Sequence, residues 1–145
     1  MGEFCDVIYV YDDLSTDNTI ELCESHPKVR KVIRGTNWDR DRARAEFQNR
    51  QTIFKYALED YKPNNDDWFI YMDADERIEF DFNILKDSTI GGVKMKLFDF
   101  YITEEDKHLD YKNRKWMGPE YRIILFMFKV ENSLGYFREC SLKPN

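Results

Sequence analysis

The sequence predicts an α/β protein with a mainly parallel sheet flanked by helices. Three observations lead there. Strand-like runs alternate with helix-like segments over the first half of the chain. The first and third of these strands each end in a cluster of aspartates. The 145 residues are 42% hydrophobic and 16% aromatic, which is the composition of a single folded domain rather than a disordered chain.

Taken in order, "CDVIYVYDD" is a β-branched and aromatic run that ends in Asp12 and Asp13, and it reads as a strand leaving the core. "STDNTIELCESH" places the cap-forming Ser15, Thr16 and Asp17 before Ile20, Leu22 and Cys23, the start of a helix. "KVRKVIRG" is a second strand closed by Gly35. From about Asp41 to Tyr61, the residues Ala43, Phe47, Phe54, Leu58 and Tyr61 recur at helical spacing, with Pro63 just beyond. "DWFIYMDAD" is a third strand. "GGVKMKLFDFYI" and "YRIILFMFKV" are two further strands, separated by the polar stretch "TEEDKHLDYKNRKWMGPE". A loop of that length is more often functional or mobile than idle. In parallel sheets ligands gather beyond the carboxyl ends of strands, so Asp12 with Asp13 and Asp73 with Asp75 are expected to share one site.

Charge is unevenly placed. Residues 28–50 hold eight basic and three acidic side chains, a local net of +5, so the rest of a chain of net −6 carries −11. A basic patch on an acidic protein points to a local anionic ligand such as a phosphate, and away from general nucleic-acid coating. The three cysteines lack CxxC spacing and the two histidines stand far apart, which argues against a disulfide framework or a zinc site and for reduced thiols in the cytoplasm. No apolar run is long enough to span a bilayer, and the opening residues lack a basic signal-type region.

Asp73-Ala74-Asp75 places two hard oxygen donors on a turn after a strand, which suits magnesium or manganese with waters and ligand phosphates. An EF-hand loop would need a glycine where Ile78 stands, and the aspartyl-nucleophile phosphatases usually carry such a motif near the chain start. Together, "YVYDDLSTDNT" and "FIYMDADER" resemble, in order and in context, the two motifs of the family-2-like glycosyltransferases of GT-A fold. The resemblance covers residues 5–82 and fades afterwards.

That resemblance implies one GT-A-like, Rossmann-like domain over residues 1–145, with a nucleotide- and metal-binding part at 5–82 and a shortened acceptor-side part at 83–145. It implies that an aspartate of the Asp12-Asp13 pair holds the base or ribose, and that Asp73 and Asp75 serve the ribose and a Mn2+ or Mg2+ ion on the diphosphate. Arg44 and Arg50 are the candidates for an arginine near the nucleotide. The donor would be a nucleoside-diphosphate sugar, a UDP-sugar foremost, and the acceptor a glycan, a lipid-linked glycan or a protein. An inverting route needs a general base. Glu104, Glu105, Asp106, Asp110 and Glu120 are candidates, and Glu120, between a Gly-Pro turn and a strand, is preferred. Tyr111 and Trp116 offer a surface on which a sugar could stack. The family's usual first strand has no counterpart before Cys5, so the expected sheet is truncated at its N-terminal side, and three explanations stand open: a fragment of a longer protein, a shortened member with a rearranged sheet, or a chain completed by a second copy or another subunit. The competing expectations are a catalytically idle relative that binds a nucleotide or a partner protein, and a basic helix that binds nucleic acid.

Overall fold

The run Ile8–Asp12 forms the first strand, β1, and Val29–Arg34 forms β2. In this computed structural model, which describes residues 3–115 and 117–132, the two strands pair in parallel with Tyr9 opposite Lys31 and Asp12 opposite Arg34. The short helix α1, Thr19–Glu24, lies in the crossover between them. Asp17 holds its start by accepting from the Thr19 N–H at 3.1 Å. At the far end of the ladder the Gly35 N–H donates to the Asp12 carbonyl at 2.8 Å. A Cβ at Gly35 would lie 3.1 Å from the Tyr11 hydroxyl and 3.3 Å from the Asp12 carbonyl oxygen, so a side chain there would crowd the end of β1.

The helix α2 runs Arg42–Tyr61. Asp41 caps it, accepting from the Arg44 N–H at 3.1 Å. It stops at Lys62, whose φ of 54° is left-handed, immediately before Pro63. Ala45, Phe54 and Ala57 are its buried residues. Of the stripe expected from spacing, Phe54 is buried and Phe47 and Leu58 half-buried, but Ala43 and Tyr61 are exposed. Polar links secure the last turns of α2: the Tyr9 hydroxyl donates to Asp60 at 2.7 Å and Arg30 Nε donates to it at 2.5 Å. These elements make up one compact unit, Met1–Asn64.

The second unit, Asn65–Asn145, is built differently. Its strands are β3 (Trp68–Ile70), β4 (Gly92–Phe100) and β5 (Met117–Lys129), in the order β3-β5-β4 and antiparallel throughout. The apolar run of β5 takes the central place, and its Phe126, Met127 and Phe128 are buried. Phe69 of β3 stacks on Phe128 with ring centroids 5.9 Å apart. Lys129 is also buried, and its ammonium group donates to Asp66 at 3.1 Å and to the Ser88 carbonyl at 3.4 Å, so the charge is not stranded.

The mainly parallel, GT-A-like sheet expected from the sequence is therefore corrected. One strand pair, β1 with β2, is parallel, and β3 joins an antiparallel sheet with strands that follow it in the chain. The strand-helix-strand rhythm fixes a local crossover but says nothing of which partner a strand meets. Here the apolar length of β5 draws β3 and β4 to either side of it. Among the described residues, β1 and β3 each have one strand partner. No helix among the described residues is long and apolar enough to cross a membrane.

Candidate functional site

The two aspartate motifs fall in different units, and their local environments contrast. At the end of β1, Asp12 is buried, its side chain 1% exposed. Both its carboxylate oxygens accept from the Ser15 N–H, at 3.3 and 3.2 Å, which closes the chain into a tight turn. Within that turn Leu14 has a φ of 68°, a left-handed conformation that strains a residue with a side chain. Arg34 reinforces the turn: its guanidinium donates to the Ser15 carbonyl at 3.2 Å, and its Nε lies 3.8 Å from Asp12. Of the pair, Asp12 holds the loop and Asp13 is the accessible carboxylate.

Asp13 in turn accepts from Arg42 at 2.7 Å. The Arg42 guanidinium stands 4.2 Å from the ring centroid of Trp38, which is 62% exposed. Arg34 and Arg42 are thus the basic partners of the first motif. The two arginines favoured from the sequence bond elsewhere. Arg44 forks onto Asp39, with contacts of 2.8 to 3.1 Å, and this pairing holds the Asp39 carboxyl below its ordinary range and raises Arg44. Arg50 bonds Glu46 one helical turn away. The run "DRDRARAEFQNR" offers four arginines, and helical spacing alone could not say which one leans toward the strand end. The first turn of α2 does so because Asp41 caps it there.

The second motif follows β3 by three residues. The Glu76 N–H donates to the Asp73 carbonyl at 3.1 Å, and the Glu76 carboxylate accepts from the Asp73 N–H at 2.9 Å. Glu76 thereby fixes the turn and leaves the two aspartates pointing outward. Both are exposed. Asp73 accepts from the Tyr71 hydroxyl at 3.3 Å, and Asp75 has no hydrogen-bond or ion-pair partner among the described residues. The donors are of the right kind for a hard divalent cation, since magnesium is commonly held by one or two carboxylates with waters and ligand phosphates completing its shell. Among the described residues, no group of three or more His, Cys, Asp or Glu side chains could hold a metal ion by itself. Asp73 and Asp75 are two exposed carboxylates, fewer than a metal site of three protein ligands would need.

The candidate bases sit in or beside the link from β4 to β5. Asp106 is buried and accepts from the Thr103 N–H at 2.8 Å and the Lys115 N–H at 3.3 Å, so it organises the loop. The Thr103 N–H, first among its partners, holds its carboxyl below the ordinary range. Asp110 caps the turn Tyr111–Asn113, and Glu104 pairs with Lys107 at 2.7 Å. Glu105 is exposed. The backbone of Glu120 belongs to β5, and its side chain lies outside the described part of the structure. Tyr111 donates to Glu79 at 2.5 Å and meets Phe100 edge-on at 5.7 Å, a packed position rather than an open platform. Trp116 lies outside the described residues.

Two mycobacterial proteins are similar to this chain, one from Mycobacterium bovis and one from Mycobacterium tuberculosis, both named as uncharacterized proteins. Each is 33% identical over 91 residues, covering 58% of this chain and 20% of the relative. The chain thus spans about a fifth of the length of the curated relatives it matches. No family model matches the sequence, and no solved structure matches it.

Proposed function

We propose that the chain carries the donor-binding motifs of a metal-assisted glycosyltransferase that uses a nucleoside-diphosphate sugar, a UDP-sugar foremost. The observation that carries this reading is the exposed pair Asp73 and Asp75, held outward by the Glu76 turn just past a strand, with Asp75 free of described partners. A carboxylate left unpaired while its neighbour is used to fix the turn is suited to an incoming cation. The end of β1 supports the reading separately, because it combines an accessible carboxylate with two arginines, the side chains that suit a nucleotide's polar edge and its phosphates.

Asp73 and Asp75 are the residues that would hold Mn2+ or Mg2+ brought in with a donor diphosphate. Bound there, the ion would stabilise the charge that grows on the leaving group as the glycosidic bond breaks. Taken by itself, the end of β1 offers Asp13 to a base or ribose and Arg42 to a phosphate, in place of the Arg44 and Arg50 pairings described above. Glu120 remains the candidate for taking the proton from the acceptor hydroxyl. A glycan, a lipid-linked glycan or a protein serves as acceptor. Cys5 and Cys23 are free thiols, in keeping with a cytoplasmic setting.

A second reading, binding of the nucleotide without turnover, draws on the use of Asp106 and Asp110 as structural groups, which shortens the roster of candidate bases. Release of UDP from a panel of UDP-sugars with manganese, measured on the purified chain, separates the two. Release that falls at least tenfold in Asp75→Ala supports the transferase. Binding of UDP without release from any donor supports the binding-only relative.

A further inference from the structure

Trp38 is a large aromatic side chain left 62% exposed, with one cation against its ring. Exposed tryptophans need no function one at a time, but this one is linked to a charged pair at the end of β1. Arg42 stands 4.2 Å from the centroid of its ring and bonds Asp13 at 2.7 Å, joining the aromatic face to the accessible carboxylate of the first motif. A role in helix stability alone explains the set poorly. Arg42 occupies the first turn of α2, where the helix dipole disfavours a cation, and that turn contains no acidic residue.

We propose that Trp38, Arg42 and Asp13 form an exchangeable recognition edge for a nucleoside diphosphate. Trp38 stacks on the base. Arg42 leaves Asp13 for the phosphate oxygens, and Asp13, once released, accepts from a base N–H or a ribose hydroxyl. The exchange is easy because both partners reach solvent: the Arg42 side chain is 51% exposed and that of Asp13 28%, and an ion pair at such a surface is weak. A guanidinium meets phosphate with two parallel, charge-assisted hydrogen bonds, so the trade favours the ligand. A planar base finds in Trp38 a sequence-tolerant stacking surface. This assignment rests on the nucleotide-binding reading given above and adds to it which residues recognise the base and which meet the phosphates.

The test is a titration of the full chain with UDP, uridine and inorganic diphosphate, in the wild type and in Trp38→Ala, Trp38→Phe and Arg42→Ala, followed by calorimetry. Trp38→Ala is expected to weaken UDP and uridine alike by about tenfold or more, as loss of one stacked base does elsewhere. Trp38→Phe should stay within about threefold of wild type. Arg42→Ala should weaken UDP and inorganic diphosphate by about tenfold and leave uridine unchanged. If Trp38→Ala does not fold, quenching of Trp38 emission by UDP in a Trp68→Phe, Trp116→Phe background serves instead, and an unchanged emission on saturation with UDP overturns the stacking role. Wild-type UDP affinity in both Trp38→Ala and Arg42→Ala overturns the edge while leaving the nucleotide-binding reading intact. No UDP binding by the folded wild type overturns both.

Discussion

The two aspartate motifs of this protein set the same side chain in opposite surroundings. Asp12 is buried, bonded to the Ser15 N–H and flanked by Arg34, and it holds a strained loop in shape. Asp75 is exposed, stands beside a turn that Glu76 has already closed, and has no partner among the described residues. A carboxylate already spent on the fold is a poor ligand for anything else. One that contributes nothing to the fold is the better candidate for a ligand, and the difference can be read as stability against binding.

The largest expected effect falls on the buried partner. Asp12→Ala removes the acceptor of the Ser15 N–H and leaves the left-handed Leu14 without its restraint, so it should destabilise the chain by about 1–3 kcal/mol in a urea titration. Asp75→Ala should change stability by less than about 0.5 kcal/mol in the same experiment, as exposed substitutions away from structural features usually do. A loss for Asp75→Ala equal to that for Asp12→Ala would erase the contrast.

A smaller effect sharpens the picture of the first unit. Burial, followed by the hydrogen bond to Asp60, pushes the Tyr9 hydroxyl up to about 12 from an ordinary value near 10. The folded state thus keeps a proton that the unfolded chain has lost. This contribution to stability is fully present below pH 10 and disappears as pH rises from 10 through about 12. Asp60 is shifted the other way, its carboxyl held low by the Tyr9 hydroxyl first and by Arg30 after it, so its contribution is present above the ordinary aspartate range and is lost as pH falls below it. Tyr9→Phe should flatten the alkaline decline and shrink the acid one. An unchanged profile at both ends would show that this link does not hold α2 to the strands.

Much of the local structure was legible in the sequence. The alternation of "CDVIYVYDD", "KVRKVIRG" and "DWFIYMDAD" with two helical segments gives β1, α1, β2, α2 and β3 in that order, and Asp41 and Pro63 bracket α2 within a residue or two. The partners of β3 were not legible. Ile70 pairs with Met127 across more than fifty intervening residues, and a strand's own composition carries no mark of a partner so distant or of its direction. The burial of α2 was half legible, because Ala45 and Ala57 are too small to stand out as apolar positions beside Ala43 and Tyr61.

The site divides in the same way. The motif spacings located the carboxylates, but which of Asp12 and Asp13 faces solvent depends on the turn at Leu14, a left-handed backbone at a residue with no preference for it. Arg34 and Arg42 were missed as partners of the first motif. Arg34 could have been found, since it ends the strand parallel to β1 and so stands opposite Asp12. Arg42 required the orientation of the first turn of α2, which only the folded chain supplies.

Whether Asp75 serves a cation carried in with a diphosphate, as proposed, is decided by calorimetric titration of the chain with UDP, with and without manganese, in wild type and Asp75→Ala. Manganese is expected to strengthen UDP binding to the wild type by at least tenfold and, alone, to bind weakly because only two carboxylates would meet it, and Asp75→Ala, folded and equally stable, is expected to lose the enhancement. Manganese-independent binding that Asp75→Ala leaves unchanged would contradict that role.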